Sequence, residues 1–261
     1  MSQTATSPPP ADEPGKLKLG TFLGVYTPTV LTILGLMLYL RIGWVVGNAG
    51  VMGAIGIVVL ANAITLATAL SMSAIATNMR VGVGGAYYLI SRTLGLEFGG
   101  AVGIPLYLSQ TLSITLYAYG LGESMAVIGL PEWMIQIVAV VTVIGVTLIA
   151  ARSTEFTLKA QLPVMGLIVI SLVALFSGID WGTPQVESFG SYADPDVAGF
   201  WDVFAVFFPA VTGVLAGVSL SGDLRDARKA IPQGVLAAVG TGFVIYLIVP
   251  VALAFTADAT T

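Results

Sequence analysis

Residues Phe207 to Gly217 read FFPAVTGVLAG, and the rest of the chain is understood from this stretch. It lies inside a long apolar run, yet Pro209, Gly213 and Gly217 interrupt the helix that such a run should form. At membrane depth no water is present to take the carbonyls and amides freed by such residues, so they must find other partners. A second interrupted stretch, YTPTVLTILGLM from Tyr26 to Met37, carries Pro28 and Gly35. Paired interrupted helices in corresponding halves of a membrane chain point to a binding site near the bilayer midplane.

Of the 261 residues, 56% are hydrophobic and 9% are charged. Soluble domains carry about 25% charged residues, so this composition belongs in a lipid bilayer. There is no cysteine and no histidine. Their absence excludes disulfides, thiolate chemistry, histidine acid–base catalysis and the usual transition-metal sites, and no cofactor is expected. The acidic balance, a net charge of −4, lies mostly in loops and leans toward a prokaryotic, salt-loving source. Residues 1–20, MSQTATSPPPADEPGKLKLG, lack the apolar core of a signal peptide and are predicted to be a disordered cytoplasmic tail.

A spanning helix needs roughly 20 mostly apolar residues. Seven segments qualify: 21–47, 51–77, 97–124, 132–151, 160–179, 200–221 and 232–256. Between the second and third, RVGVGGAYYLISRTLG (Arg80 to Gly95) predicts a glycine turn followed by a short amphipathic helix at the inner face. With a cytoplasmic N-terminus, Lys16, Lys18, Arg80, Arg92, Arg152, Lys159, Arg225, Arg228 and Lys229 all fall inside. The outer loops, IDWGTPQVESFGSYADPD included, hold no lysine or arginine, and only Arg41 lies in the outer half of a span. That asymmetry is the positive-inside pattern of a multi-pass protein in the cell membrane. The first and sixth spans cross in opposite senses and both are interrupted, as in an inverted repeat of five helices plus five. The expected fold is therefore all-helical and membrane-spanning. A first repeat covers 21–180, an extracellular loop 181–199, and the first two helices of a second repeat 200–261. On this reading the chain is about three spans short, which leaves three alternatives: a truncated gene, a second chain supplying the missing helices, or a different division into repeats.

No charged residue falls near the middle of a span; Glu97, Glu123, Asp202 and Asp223 lie toward the ends. A proton relay needs a buried carboxylate or histidine, so proton coupling is disfavoured. What the spans offer at depth is neutral: Thr32, Asn62, Thr65, Thr68, Ser109, Gln110, Ser113, Thr115, Tyr117 and Thr212. Hydroxyls and freed carbonyls suit a poorly hydrated monovalent cation, and amides at the start of a half-helix suit an anion. Most of these hydroxyls are read as interhelical packing groups, whereas Thr212, beside the interruption, is read as functional. The run Gly82 to Gly85 lacks the strand and the Lys-Ser/Thr ending of a phosphate loop and reads as a hinge. Ser221–Gly222–Asp223 lacks the second carboxylate that an aspartyl protease needs. No enzyme activity and no nucleic-acid partner are expected.

The segments GVYTPTVLTILGLMLYLRIGWVVGNAG, SMSAIATNMRVGVGGAYYLISRTLGLEFGGAVG, LYAYGLGES and FFPAVTGVLAGVSLSGDLRDARKAIPQG resemble the cation-chloride cotransporter family. That family belongs to the amino acid–polyamine–organocation superfamily. The likeness runs from about Lys18 through the seventh span, with GGAYYLISR and FFPA-x-TG-x-LAG-x-x-x-SGDL its most specific parts. It implies symport of chloride with potassium, sodium or both by alternating access. The family's potassium site falls on main-chain oxygens of Thr32 and Ile33, the hydroxyl of Tyr117, the carbonyl of Pro209 and the hydroxyl of Thr212. One chloride site falls on the amides of Gly35, Leu36 and Met37, and a second on those of Gly213, Val214 and Leu215. The side chains of Leu36, Met37, Val214 and Leu215 are at the same time expected to pack in the core. Relatives that use potassium carry tyrosine where Tyr117 stands and sodium-chloride members carry histidine, which implies potassium use here.

Arg41 and Glu123 match a pair that closes the outer gate in the family. At 1.5 Å per residue, Glu123 lies about 9 Å outward of Tyr117, and Arg41 about 13 Å outward of Thr32. The alternative for this pair is an arginine snorkelling to headgroups and a solvated loop acid. Thr32 stands where many relatives have asparagine and Leu34 where they have an aromatic residue, a departure that bears on sodium. The family's eighth-span sodium contacts, tenth-span tyrosine and large cytoplasmic C-terminal domain have no counterpart in this sequence. Two other readings stay open: an amino acid permease of the same superfamily, and a chain that is inactive on its own.

Overall fold

The computed structural model of the protein describes residues 18–79, 81–126, 129, 131–179 and 197–256. These residues are helical almost throughout, and the only β pairing among them is one isolated bridge, Leu19 with Leu224. The first span is shaped by Pro28, which has no amide to give. The chain enters as a π-helical turn, Phe22–Tyr26, in which the Thr27 amide reaches back to the Phe22 carbonyl. Helix α1 (Thr27–Ile33) then holds Pro28 in its first turn, where a missing N–H is tolerated. The break itself comes later. Leu34 (φ −89°, ψ 21°) ends α1, and Gly35 (φ −81°, ψ −139°) starts α2 (Leu36–Leu40) in a new register. Of the two residues expected to interrupt this span, only Gly35 does so.

Helix α3 (Ile42–Asn78) carries a non-helical residue at Gly50 (φ 67°, ψ 174°), so the outer loop expected between the first two spans reduces to that glycine. Gly84 (φ 122°) and Gly85 (φ 56°) form the expected turn, and α4 (Gly85–Leu94) is the short helix expected after it. Three long helices follow: α5 (Leu96–Ala126), α6 (Glu132–Arg152) and α7 (Thr154–Ser177). The sixth span consists of α8 (Phe200–Phe207), a 3₁₀ turn (Phe208–Val211), a gap over 212–214 and α9 (Leu215–Ser219). Helix α10 (Ala227–Thr256) starts before the expected residue 232, because the Asp226 carbonyl accepts the amides of Lys229 and Ala230.

Among the described residues, six helical stretches are long and apolar enough to cross a membrane: Phe22–Leu40, Ile42–Asn78, Trp133–Arg152, Glu155–Ser177, Phe200–Ser219 and Ala227–Thr256. The remaining expected span, 97–124, forms α5 as a continuous helix of 31 residues. Ser109, Gln110, Thr111, Ser113, Thr115 and Tyr117 dilute its apolar character below that of the other six. The architecture is thus an all-helical, multi-pass membrane protein, as the composition requires.

The core is built on α3 and α10, the most extensive helix pair, with α1, the π turn and α8 packed on them. Val45, Ile57 and Val58 of α3 share one buried cluster with Ile231, Val235 and Tyr246 of α10. Helices α4, α5 and α6 pack in sequence, and α7 joins α6 to α1. Leucines and isoleucines such as Ile104, Leu112, Ile144, Leu148, Leu167 and Ile170 are exposed on α5 to α7, the all-round apolar character that lipid demands. The predicted tail falls outside the described residues except for 18–20, and the predicted loop 181–199 except for 197–199. Residue 19 departs from the expected disorder. Its amide donates to the Asp223 carbonyl at 2.8 Å, and its carbonyl accepts from Arg225 at 2.9 Å.

Candidate functional site

In a helix each carbonyl accepts from the amide four residues on, so an unbroken first span would pair Thr32 with Leu36 and Ile33 with Met37. The turn at Gly35 takes those amides out of register. Both carbonyls accept side-chain hydroxyls instead. Tyr117 of α5 donates to the Thr32 carbonyl at 3.3 Å, and Tyr246 of α10 donates to the Ile33 carbonyl at 2.7 Å. The Thr32 hydroxyl turns back on its own helix and donates to the Pro28 carbonyl at 2.8 Å. It is therefore the main chain of Thr32, not its side chain, that meets Tyr117. In the sixth span, the Thr212 hydroxyl and amide both donate to the Pro209 carbonyl, at 2.8 Å and 3.3 Å. Pro209 and Thr212 are exposed.

The two interruptions touch. A Cβ on Gly213 would lie 2.8 Å from the Thr32 Cβ and 3.2 Å from Ile33, and one on Gly35 would lie 3.5 Å from the Tyr117 ring. Thr32, Ile33, Gly35, Tyr117 and Gly213 thus meet at one point, with Pro209 and Thr212 just before Gly213 on the same short segment. Leu36 lies against Gly120 of α5, Met37 packs against the core, Val214 is buried and Leu215 half-buried. Gly217 was expected as a third break in the sixth span, and the structure corrects this. It lies inside α9, where a Cβ would stand 2.6 Å from the Thr29 hydroxyl and 2.7 Å from the Val25 carbonyl. Its glycine serves close approach between the first and sixth spans.

A cavity of about 450 Å³ opens beside this meeting point, lined by residues that include Thr32, Tyr117, Thr157, Gln161, Ala216 and Ser219. It lies on the α1 and α9 side of the two breaks, walled also by α5, α6 and α7. The Gln161 Oε1 is buried without a donor among the described residues. On the other side of the breaks, Arg41 Nη2 donates to Glu123 Oε2 at 2.9 Å, with side chains 42% and 37% exposed. Tyr39 of α2 pairs its hydroxyl with Ser171 of α7 on the same side. Tyr246 and Gln161 are among the polar groups that sequence reading missed. Each sits in an apolar helix where spacing alone reads as packing.

The amino acid permease family profile matches residues 24–260, a stretch that holds both interrupted helices and every candidate residue. The chain belongs to the amino acid permease family. Within it, this permease-family chain is similar to solute carrier family 12 member 2 of Mus musculus. The two are 35% identical over 258 residues, which is 91% of this chain and 21% of that protein. Solute carrier family 12 member 2 of Squalus acanthias is 35% identical over 266 residues, 94% of this chain and 22% of the other. Solute carrier family 12 member 1 of Homo sapiens is 36% identical over 258 residues, 90% and 24% of the respective chains. These relatives bear out the likeness to the cation-chloride cotransporters read from the motifs. The permease-family chain spans about a fifth to a quarter of the length of the relatives it matches.

Proposed function

We propose that this chain forms the ion-binding part of a secondary transporter that moves potassium together with chloride, with or without sodium, by alternating access. The carrying observation is the meeting of three spans at one point, where the Tyr117 hydroxyl reaches the Thr32 carbonyl and Gly213 presses on Thr32. A monovalent cation there would take main-chain oxygens of Thr32 and Ile33, the Tyr117 hydroxyl, and the carbonyl and hydroxyl of Pro209 and Thr212. The Pro209–Thr212 hydrogen bond must open for this, which a rotation of the Thr212 hydroxyl accomplishes. Chloride would take the amides of Gly35, Leu36 and Met37, and a second chloride those of Gly213, Val214 and Leu215. With the N-terminus cytoplasmic and the protein in the cell membrane, the cavity faces inward, and the Arg41–Glu123 pair closes the outer side. A second chain supplying further helices belongs to the same proposal.

Rubidium uptake into proteoliposomes tests this reading. Uptake is expected to require chloride and to resist competition by amino acids, and Tyr117→Phe is expected to raise the rubidium half-saturation about tenfold, the value of one ligand hydrogen bond. Uptake indifferent to chloride would remove the anion from the scheme. The family match itself supports a second reading, amino acid transport, and displacement of rubidium-linked flux by an amino acid would favour it.

A further inference from the structure

The Ile33 carbonyl is an orphan of the first interruption, and the group that rescues it lies on a helix that sequence reading left out of the site. Ile33 is 2% exposed and Tyr246 is fully buried. The tyrosine ring is seated edge-on against Phe207, at 5.2 Å between centroids and 87° between planes. One turn earlier on the same face of α10, Gly242 has no side chain, and a Cβ there would stand 2.5 Å from Ile33. The pair Gly242 and Tyr246 therefore does two things: the glycine lets α10 close on Ile33, and the hydroxyl meets the carbonyl at 2.7 Å. Phe207 opens the FFPAVTG stretch, so one side chain of α10 touches both interrupted helices.

We propose that Tyr246 is a positioning residue of the cation site, holding the Ile33 carbonyl out of helical register with the Met37 amide. The proposal rests on the reading that the Ile33 carbonyl is a cation ligand. A carbonyl oxygen has two lone pairs. The tyrosine hydroxyl engages one and leaves the other for an ion. Without the hydroxyl, the nearest donor in the chain's own register is the Met37 amide, and a buried carbonyl at membrane depth takes a donor where it finds one. The first span would then close toward a continuous helix and the oxygen would turn from the ion.

Two measurements on the purified chain in nanodiscs test this. The first is the thermal midpoint against rubidium chloride, with choline chloride keeping ionic strength constant. The second is hydrogen exchange at the Met37 amide. In Tyr246→Phe, rubidium affinity is expected to fall about fivefold or more, and Met37 exchange to slow about tenfold as the amide gains an acceptor. Unchanged affinity and unchanged exchange beside a wild type that binds rubidium overturn the role of Tyr246 and leave the ion reading standing. A wild type that rubidium does not stabilise overturns the ion reading, and the positioning role with it. If Tyr246→Phe does not fold, Phe207→Leu decides, because it loosens the seat and keeps the hydroxyl. Smaller shifts in the same directions support the proposal, and none overturns it.

Discussion

At the scale of single residues, the site depends on what glycine lacks. Gly213 and Gly217 are placed so that a methyl group would meet Thr32, Thr29 or the Val25 backbone at under 3 Å. Because backbone lies among those neighbours, the clash at Gly217 cannot be relieved by turning a side chain. Gly217→Ala is expected to destabilise the protein by about 1–3 kcal/mol, the usual cost of overpacking. Gly145 in α6 is the matched control. Nothing lies within 4 Å of a Cβ there, so Gly145→Ala is expected to be neutral or stabilising by about 0.5–1 kcal/mol through helix propensity. Thermal denaturation of the two variants reads the contrast, and equal midpoints would show that α9 does not press on the first span.

At the scale of elements, the first and sixth spans are each two short helices whose ends face one another, and the pieces are held by few strong contacts. The Arg41–Glu123 pair joins the start of α3 to the last turn of α5 at 2.9 Å. Both side chains are more than a third exposed, which limits the pair to about 0.2–1 kcal/mol. On the proposed reading of the pair as an outer gate, that small value suits a contact that opens and re-forms, since a few-fold shift in population can be reversed by modest ion binding. Arg41→Glu is expected to impair rubidium uptake severalfold, and adding Glu123→Arg is expected to restore part of it. Absence of any recovery in the double variant would show that the two residues act separately.

At the scale of the molecule, the end of the bundle that carries Leu19 is tied together while the cavity lies beside it. Leu19 pairs with the chain at Leu224, Ser221 donates its hydroxyl to the Gly82 carbonyl at 2.9 Å, and Arg228 donates to the Met79 carbonyl at 3.2 Å. These contacts link the start of the first span, the turn before α4 and the junction between α9 and α10. Rocking of the broken helices would carry that group as a unit. The orientation assumed for it has a direct test, because the chain has no native cysteine to mask a label. A membrane-impermeant thiol reagent is expected to label Ser7→Cys only from the cytoplasmic side and Ser188→Cys only from outside. The reverse pattern would invert the topology, with the cavity opening outward and the ion pair closing the inner face.

Membrane class and the two interrupted stretches were determined by the sequence alone, because each depends on local composition and on what proline and glycine do to the backbone that contains them. The motifs GGAYYLISR and FFPA-x-TG-x-LAG-x-x-x-SGDL likewise carried the family resemblance on their own residues. Tertiary structure decided the rest. Pro28 and Gly217 both read as breaks, yet a π turn absorbs the first, and contact with Val25 and Thr29 explains the second. Spacing along α10 cannot distinguish Tyr246 from a packing tyrosine. Its hydroxyl gains meaning only because Gly242 lets α10 close on Ile33, 213 residues away in the chain. Backbone interruptions are written locally, whereas the donors that satisfy them come from whichever helix the fold brings near.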